Sequence, residues 1–305
     1  MPSVRSRLVV GYLRVGRVNR TFVSAEGAWE RIRERSVRPR PFGPPRRLRS
    51  DVSVSAGRYA GWPIYTLTPR SGRARGNVVY CHGGGWVNEV ARQHWALAAE
   101  IAVGAGTTVS LPIYPLIPFG TADQVIPVFA DLVREHRAEY GEVCLAGDSA
   151  GGQIALSTAV VLRDEQQPKL PRTVLISPAL DLSLSNPEIP TVQREDPWLG
   201  RPGGLVLGEQ WRGPLPITDP RVSPLFADLT DLGPLTVFCG TRDILVPDTR
   251  LLVEKARAAG VEVDYHEAAG LVHVYPLTPT PEARAARTVI IDSLRAALSP
   301  ADCPR

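Results

Sequence analysis

The stretch EVCLAGDSAGGQIALSTAVVL, residues 142–162, opens as a short apolar run, passes through GDSAG at 147–151, and leaves as a helix-patterned segment. The pentapeptide alone is weak, because glycine and serine are common. Its setting is not: a strand running straight into the serine and a helix running straight out form a strand–turn–helix, in which Ser149 takes a strained turn and the flanking glycines give it room. Ser149 would then stand at a helix N-terminus, where unpaired N–H groups and the helix dipole favour developing negative charge. The plain alternative is a glycine-rich turn holding an ordinary serine.

Working outward, the same alternation repeats from residue 51. DVSVSA, PIYTLTP, NVVYC, TTVSLPIY, EVCLAG, TVLIS, LTVFCG and VEVDYHEA read as strands, with helix-length segments near 93–104, 121–139, 150–163, 247–259 and 281–298. Near-continuous apolar strands alternating with helices imply an α/β fold: a mostly parallel central sheet of about eight strands with helices on both faces. The first two strands, close together and more polar, fit an antiparallel edge. Residues 180–215, including DPWLGRPGG and WRGPLP, are too long for a plain loop and read as an insertion of short helices over the C-terminal ends of the strands, the edge where parallel sheets bind ligands. Ahead of the core, Ser24 is placed to cap a helix over 25–36 with Ala28, Trp29 and Ile32 on one face. The expected organisation is an N-terminal helical cap element over 1–50, a core over 51–298 with a small helical cap insertion near 180–215, and a tail over 299–305.

A serine hydroxyl needs a base to act as a nucleophile at neutral pH, normally a histidine oriented by a carboxylate. Of the five histidines, His94 and His136 fall in expected helices, His266 in a late strand and His82 in a glycine run. His273 follows the last expected strand, at the right end of the sheet to reach Ser149. For the carboxylate, GTRDILVPD offers Asp243, just past a strand end, and Asp248, better suited to cap the following helix. Asp243 is the better placed. The chain order Ser, Asp, His is the order of an α/β-hydrolase fold.

The run HGGGW, residues 82–86, follows the third strand. Attack on an ester carbonyl creates an oxyanion, and backbone N–H groups stabilise it best where no side chain intervenes. One donor would be Ala150, the residue after the serine; the others would come from this loop.

Composition bounds the rest. At 305 residues and 44% hydrophobic content the chain can bury a large core, and it holds no apolar run long enough to span a bilayer. The expectation is a soluble, cytoplasmic protein without integral membrane association. Cys81, Cys144, Cys239 and Cys303 are far apart, which suits free thiols and neither a disulfide framework nor a metal site. Residues 1–50 carry 13 arginines against three glutamates, while the whole chain is only +4. Such a segment could attract anionic lipid or nucleic acid, but few aromatics interleave with the arginines, so no nucleic acid partner is expected and the segment reads as a solvated amphipathic face.

Over most of residues 50–300 the chain resembles the bacterial hormone-sensitive-lipase-like (family IV) carboxylesterases, a branch of the α/β-hydrolase fold. The likeness rests on HGGGW, GDSAGG at 147–152, DPRVSPLFADL at 219–229, GTRDILVPD at 240–248, and His273. It implies Ser149 as nucleophile, Asp243 and His273 as its partners, and Gly84, Gly85 and Ala150 as the oxyanion hole, with His82 and Gly83 supporting the loop. It also implies that the N-terminal helix and the 180–215 insertion form a cap limiting acyl length. The chain departs from the family at IYPLIPFG, 113–120, where a Y-R-L-A-P-E-like segment is common: tyrosine and proline remain, arginine and glutamate do not.

The expected function is hydrolysis of small-molecule esters of short to medium acyl length through an acyl-enzyme, without metal or other cofactor, by a monomer or homodimer. Trp86, Trp198 and Trp211 are bulky enough for the pocket wall or cap, and equally suited to the core. The same residues would serve an amidase, arylformamidase or carbamate hydrolase. A ligand-binding homologue without catalysis is the remaining reading, and the presence of His273 argues against it.

Overall fold

A computed structural model describes residues 2–16 and 18–299; beyond Ser299 the expected tail, with Cys303, lies outside the described residues. One eight-stranded sheet organises the chain, in the order β1-β2-β4-β3-β5-β6-β7-β8. Strands β1 (Val52–Tyr59) and β2 (Trp62–Pro69) form an antiparallel hairpin. Its two-residue turn has positive φ at Ala60 and Gly61, the twist-matched geometry for such a loop. Strands β3 (Asn77–Cys81), β4 (Thr108–Pro112), β5 (Val143–Asp148), β6 (Thr173–Ile176), β7 (Leu235–Arg242) and β8 (Val263–Val272) run parallel, and β2 joins β4 antiparallel.

The buried strands feed two cores because alternate side chains point to opposite faces. Val78 and Tyr80 pack with Ile101 of α4 (Arg92–Ala105) and Ile290 of α10 (Pro281–Leu298). Val79 and Cys81 pack with Phe129 of α5 (Ala122–Tyr140) and Ile154 of α6 (Ala150–Asp164). Every expected strand and core helix is present, most ends lying within two residues of the expected ones.

Beyond the sheet, the described residues of the N-terminal segment form three helices where one was expected: α1 (Val4–Val15), α2 (Arg20–Val23) and α3 (Ala25–Val37). Ser24 does cap α3, accepting from the Gly27 N–H at 3.0 Å. Ala28 and Ile32 are buried as expected, but Trp29 is 41% exposed and belongs to the outer face. The insertion holds α7 (Ile189–Gln193) and α8 (Arg201–Arg212). The start of α8 lies so close to α2 that a Cβ on Gly203 would sit 2.2 Å from the Thr21 carbonyl oxygen. Absence of a side chain there lets the two segments pack backbone to backbone.

Candidate active site

Four parallel strands end within one residue of a polar side chain. Ser149 follows β5, Ser177 follows β6, Asp243 follows β7 and His273 follows β8. Ser149 has φ 53° and ψ −117°, a conformation costly for a residue with a side chain. Its N–H donates to the Ile176 carbonyl at 2.8 Å, and its carbonyl accepts from Gln153 and Ala179, so the turn is held from both sides. His273 is fixed just as locally: Val274 takes φ 45° and donates its N–H to the Ser177 hydroxyl at 3.0 Å.

These constraints bring Ser149, His273 and Asp243 together. The Ser149 Oγ lies 2.9 Å from His273 Nε2, and His273 Nδ1 lies 2.8 Å from Asp243 Oδ2. Asp243 is fully buried and spends its other oxygen on the Leu245 N–H at 3.0 Å. The consistent arrangement has Nδ1–H donating to the carboxylate and Nε2 free to accept the serine proton. Burial alone would lower the His273 pKa, but the adjacent Asp243 charge and hydrogen bond outweigh it and hold the imidazole above its ordinary value. Asp248 is not the helix cap. The residue preceding α9 (Val246–Ala258) is Leu245, and Asp248 is buried in the first turn, accepting from Asn186 at 2.8 Å; burial pushes its carboxyl up to about 6.

The glycine run is docked onto the serine turn through Asp148. Its Oδ1 accepts from the Tyr80 hydroxyl at 2.8 Å and the Gly83 N–H at 3.1 Å, and its Oδ2 lies 3.2 Å from His94 Nε2. His94 Nδ1 accepts from the Ala91 N–H at 2.8 Å, so Nε2 carries the proton that reaches the carboxylate. Gly83 has no room for a side chain, since a Cβ would sit 2.2 Å from Asp148 Oδ2. His82 is fully buried, bonded through Nδ1 to the Gly83 carbonyl at 2.8 Å and stacked on Tyr114 at 4.6 Å. Burial, with His94 beside it, pushes its pKa down to about 4, so the ring stays neutral and structural. IYPLIPFG supplies that Tyr114, and the Ile117 N–H donates to the Trp86 carbonyl at 2.9 Å, so the segment buttresses the loop.

Beyond Gly83, the N–H groups of Gly84, Gly85 and Ala150 donate to no acceptor among the described residues. Gly85 and Ala150 line a narrow cavity of about 50 Å³ with Ser149; Gly84 does not reach it. Phe22 of α2 and Leu184, Leu199 and Leu207 of the insertion close the cavity above, while Ile244 and Leu245 come from the segment after Asp243.

The three tryptophans separate. Trp86 lines the cavity. Trp211 does not: it is wholly buried, stacked on Trp86 at 5.7 Å, and both indole N–H groups donate to Gln153 Oε1, at 3.1 Å from Trp86 and 2.9 Å from Trp211. The Gln153 amide in turn donates to Ser157 and the Arg221 carbonyl. Trp198 stands edge-on to His273 with ring centres 5.6 Å apart and is not part of the cavity wall.

Sequence reasoning missed Asp148, Gln153 and Asp196. An aspartate closing an apolar strand must find partners when buried, and that was a signal. Asp196, in the Pro/Gly-rich insertion, gave none. Its carboxylate accepts from the N–H groups of Trp198 (2.8 Å), Leu199 (2.9 Å) and Ile244 (2.9 Å), joining the insertion to the residue after Asp243. Burial and repulsion from Asp243 push its pKa up against those hydrogen bonds. Its charge adds to that of Asp243 in raising His273. In Asp196→Asn the midpoint for deprotonating His273 should therefore fall, seen as a shift of the acid limb of kcat/KM to lower pH. An unmoved limb would leave Asp196 with a purely structural part.

A family described as the alpha/beta hydrolase fold matches residues 78–277. A triacylglycerol lipase of Mycobacterium tuberculosis is 31% identical over 70% of this chain, a match spanning only 45% of the lipase. An acetyl-hydrolase of Streptomyces hygroscopicus is 31% identical over 65% of this chain and 67% of its own length. A solved esterase from the bacterial hormone-sensitive lipase family superposes with a TM-score of 0.83 at 25% identity, over 98% of this chain and 100% of that one. With HGGGW, the GDSAG turn and the Ser–Asp–His order carried on the same sheet, the chain belongs to the alpha/beta hydrolase fold family, on its hormone-sensitive-lipase-like branch.

Proposed function

We propose that this protein hydrolyses carboxylic esters of short to medium acyl length through an acyl-enzyme on Ser149. The observation that carries the reading is the continuous hydrogen-bonded run from Ser149 through His273 to Asp243, beside the cavity-lining amides of Gly85 and Ala150, which have no acceptor among the described residues. As Ser149 Oγ attacks the ester carbonyl, its proton passes to His273 Nε2, and Asp243 stabilises the imidazolium. The carbonyl oxygen becomes an oxyanion within reach of the Gly85 and Ala150 N–H groups. Collapse breaks the ester C–O bond and His273 returns the proton to the departing alcohol. Water, deprotonated by the same histidine, then attacks the acyl carbon; the acyl–Oγ bond breaks, His273 gives the proton to Ser149 Oγ, and the acid leaves.

The cavity favours the short end of that range. Its wall is almost wholly apolar and its volume small, and the N-terminal segment and insertion above it act as a cap that limits how long an acyl group can enter. With p-nitrophenyl esters, kcat/KM should peak at acyl chains of roughly two to six carbons and drop by roughly tenfold or more beyond about ten. A flat profile to long chains would remove the cap's role. A matched anilide cleaved as fast as its ester would make the protein an amidase, and no turnover of any ester would leave it a binding homologue.

A further inference from the structure

We propose that α1 docks this protein on the surface of an anionic lipid bilayer, lying in the interface plane with its outer face among the lipids. A helix packed on a folded domain normally turns apolar residues inward and polar ones outward. Here Val10 and Leu13 face inward against Val272, next to His273, while Val4, Leu8, Tyr12 and Val15 are exposed by 62%, 67%, 69% and 85%. The spacing of those four residues places them in one stripe along the outside of the helix.

The charges around the stripe fit the same occupant. The helix VRSRLVVGYLRV has three arginines and no acidic residue. At about 100° per residue, Arg5 falls on one border of the stripe and Arg7 and Arg14 on the other. All three are exposed, and long arginine stems can bury beside apolar groups while the guanidinium heads stay at the phosphate level. An apolar stripe with basic borders is how an interfacial helix binds anionic lipid. The helix itself carries three positive charges and no negative one, so its own field favours an anionic surface.

A second copy is the poorer occupant, because pairing on this face would bring the three arginines of one helix against those of the other. The arginine excess that reads in sequence as a solvated face changes meaning once the residues between the arginines are seen to be apolar and outward. No described helix is long and apolar enough to cross a membrane, so the attachment would be peripheral.

The test is co-sedimentation of the full chain with vesicles of phosphatidylcholine alone or mixed with phosphatidylglycerol. Binding should require phosphatidylglycerol and weaken with added salt. It should fall by roughly tenfold or more in Leu8→Asp/Tyr12→Asp and, separately, in Arg5→Glu/Arg7→Glu/Arg14→Glu. Circular dichroism and hydrolysis of dissolved p-nitrophenyl butyrate should match the unmodified protein in both variants. Because sedimentation does not depend on turnover, loss of the esterase reading would leave this measurement intact. No binding to the mixed vesicles, or equal binding by both folded variants, would overturn the proposal. So would a dimer in sedimentation velocity that Leu8→Asp/Tyr12→Asp converts to monomer without any vesicle binding.

Discussion

Ser149→Ala lowers kcat for p-nitrophenyl butyrate by about 10⁵-fold or more, to the level that binding and oxyanion donors alone can sustain. The expectation follows from how completely the surroundings are built for this one hydroxyl. The positive φ at Ser149 is costly and its backbone is pinned on both sides by Ile176, Gln153 and Ala179, so alanine inherits the same turn and removes only Oγ. His273 and Asp243 keep each other, and the fold is undisturbed. The variant should therefore keep its melting temperature, lose turnover, and lose labelling by an organophosphonate. Labelling that survives would place the nucleophile elsewhere.

Gly151→Ala should destabilise the protein by about 3 kcal/mol or more and lower Tm by roughly 6 °C or more. A Cβ on Gly151 would lie 2.0 Å from the Cys81 carbonyl oxygen and 2.7 Å from the His82 carbonyl carbon. Both are backbone atoms at the end of a fully buried strand and cannot swing away as a side-chain tip could. Relief requires α6 to move off β3, which also separates Ser149 from the amides after His82. Stability and kcat should fall together. Gly11→Ala is the control, since nothing lies within 4 Å of a Cβ there and alanine favours the helix. A Gly151→Ala protein melting within about one degree of the unmodified chain, with full activity, would mean the close approach is not obligatory.

The same two positions show why so much of this site is legible in the sequence. Ser149 and the glycines around it satisfy demands of the local backbone: a residue with positive φ, and neighbours too small to collide. Such demands leave a mark in a few consecutive residues. His273 and Asp243 could be placed because each is the first residue after a strand that the apolar pattern already defines. Asp248 misled as a cap because, in sequence, an aspartate before an apolar helix is compatible with capping. The helix start at Val246 and the burial of Asp248 against Asn186 put it in the first turn instead.

Sequence alone determined the alternation of strands and helices, the serine turn, the glycine loop and the order of the three polar residues, because each depends on periodicity or on the steric needs of neighbouring residues. Tertiary structure alone decided that Asp148 ties the glycine loop to the serine turn and that Gln153 binds both Trp86 and Trp211. It also decided that Asp196 joins the insertion to the residue after Asp243, and that a second apolar side of α1, opposite Val10 and Leu13, faces outward. A buried polar group must find partners, but which partners depends on segments far apart in the chain that only the assembled sheet brings together. The outward face of α1 has the same origin: its sequence offers two apolar sides, and the core has room for one.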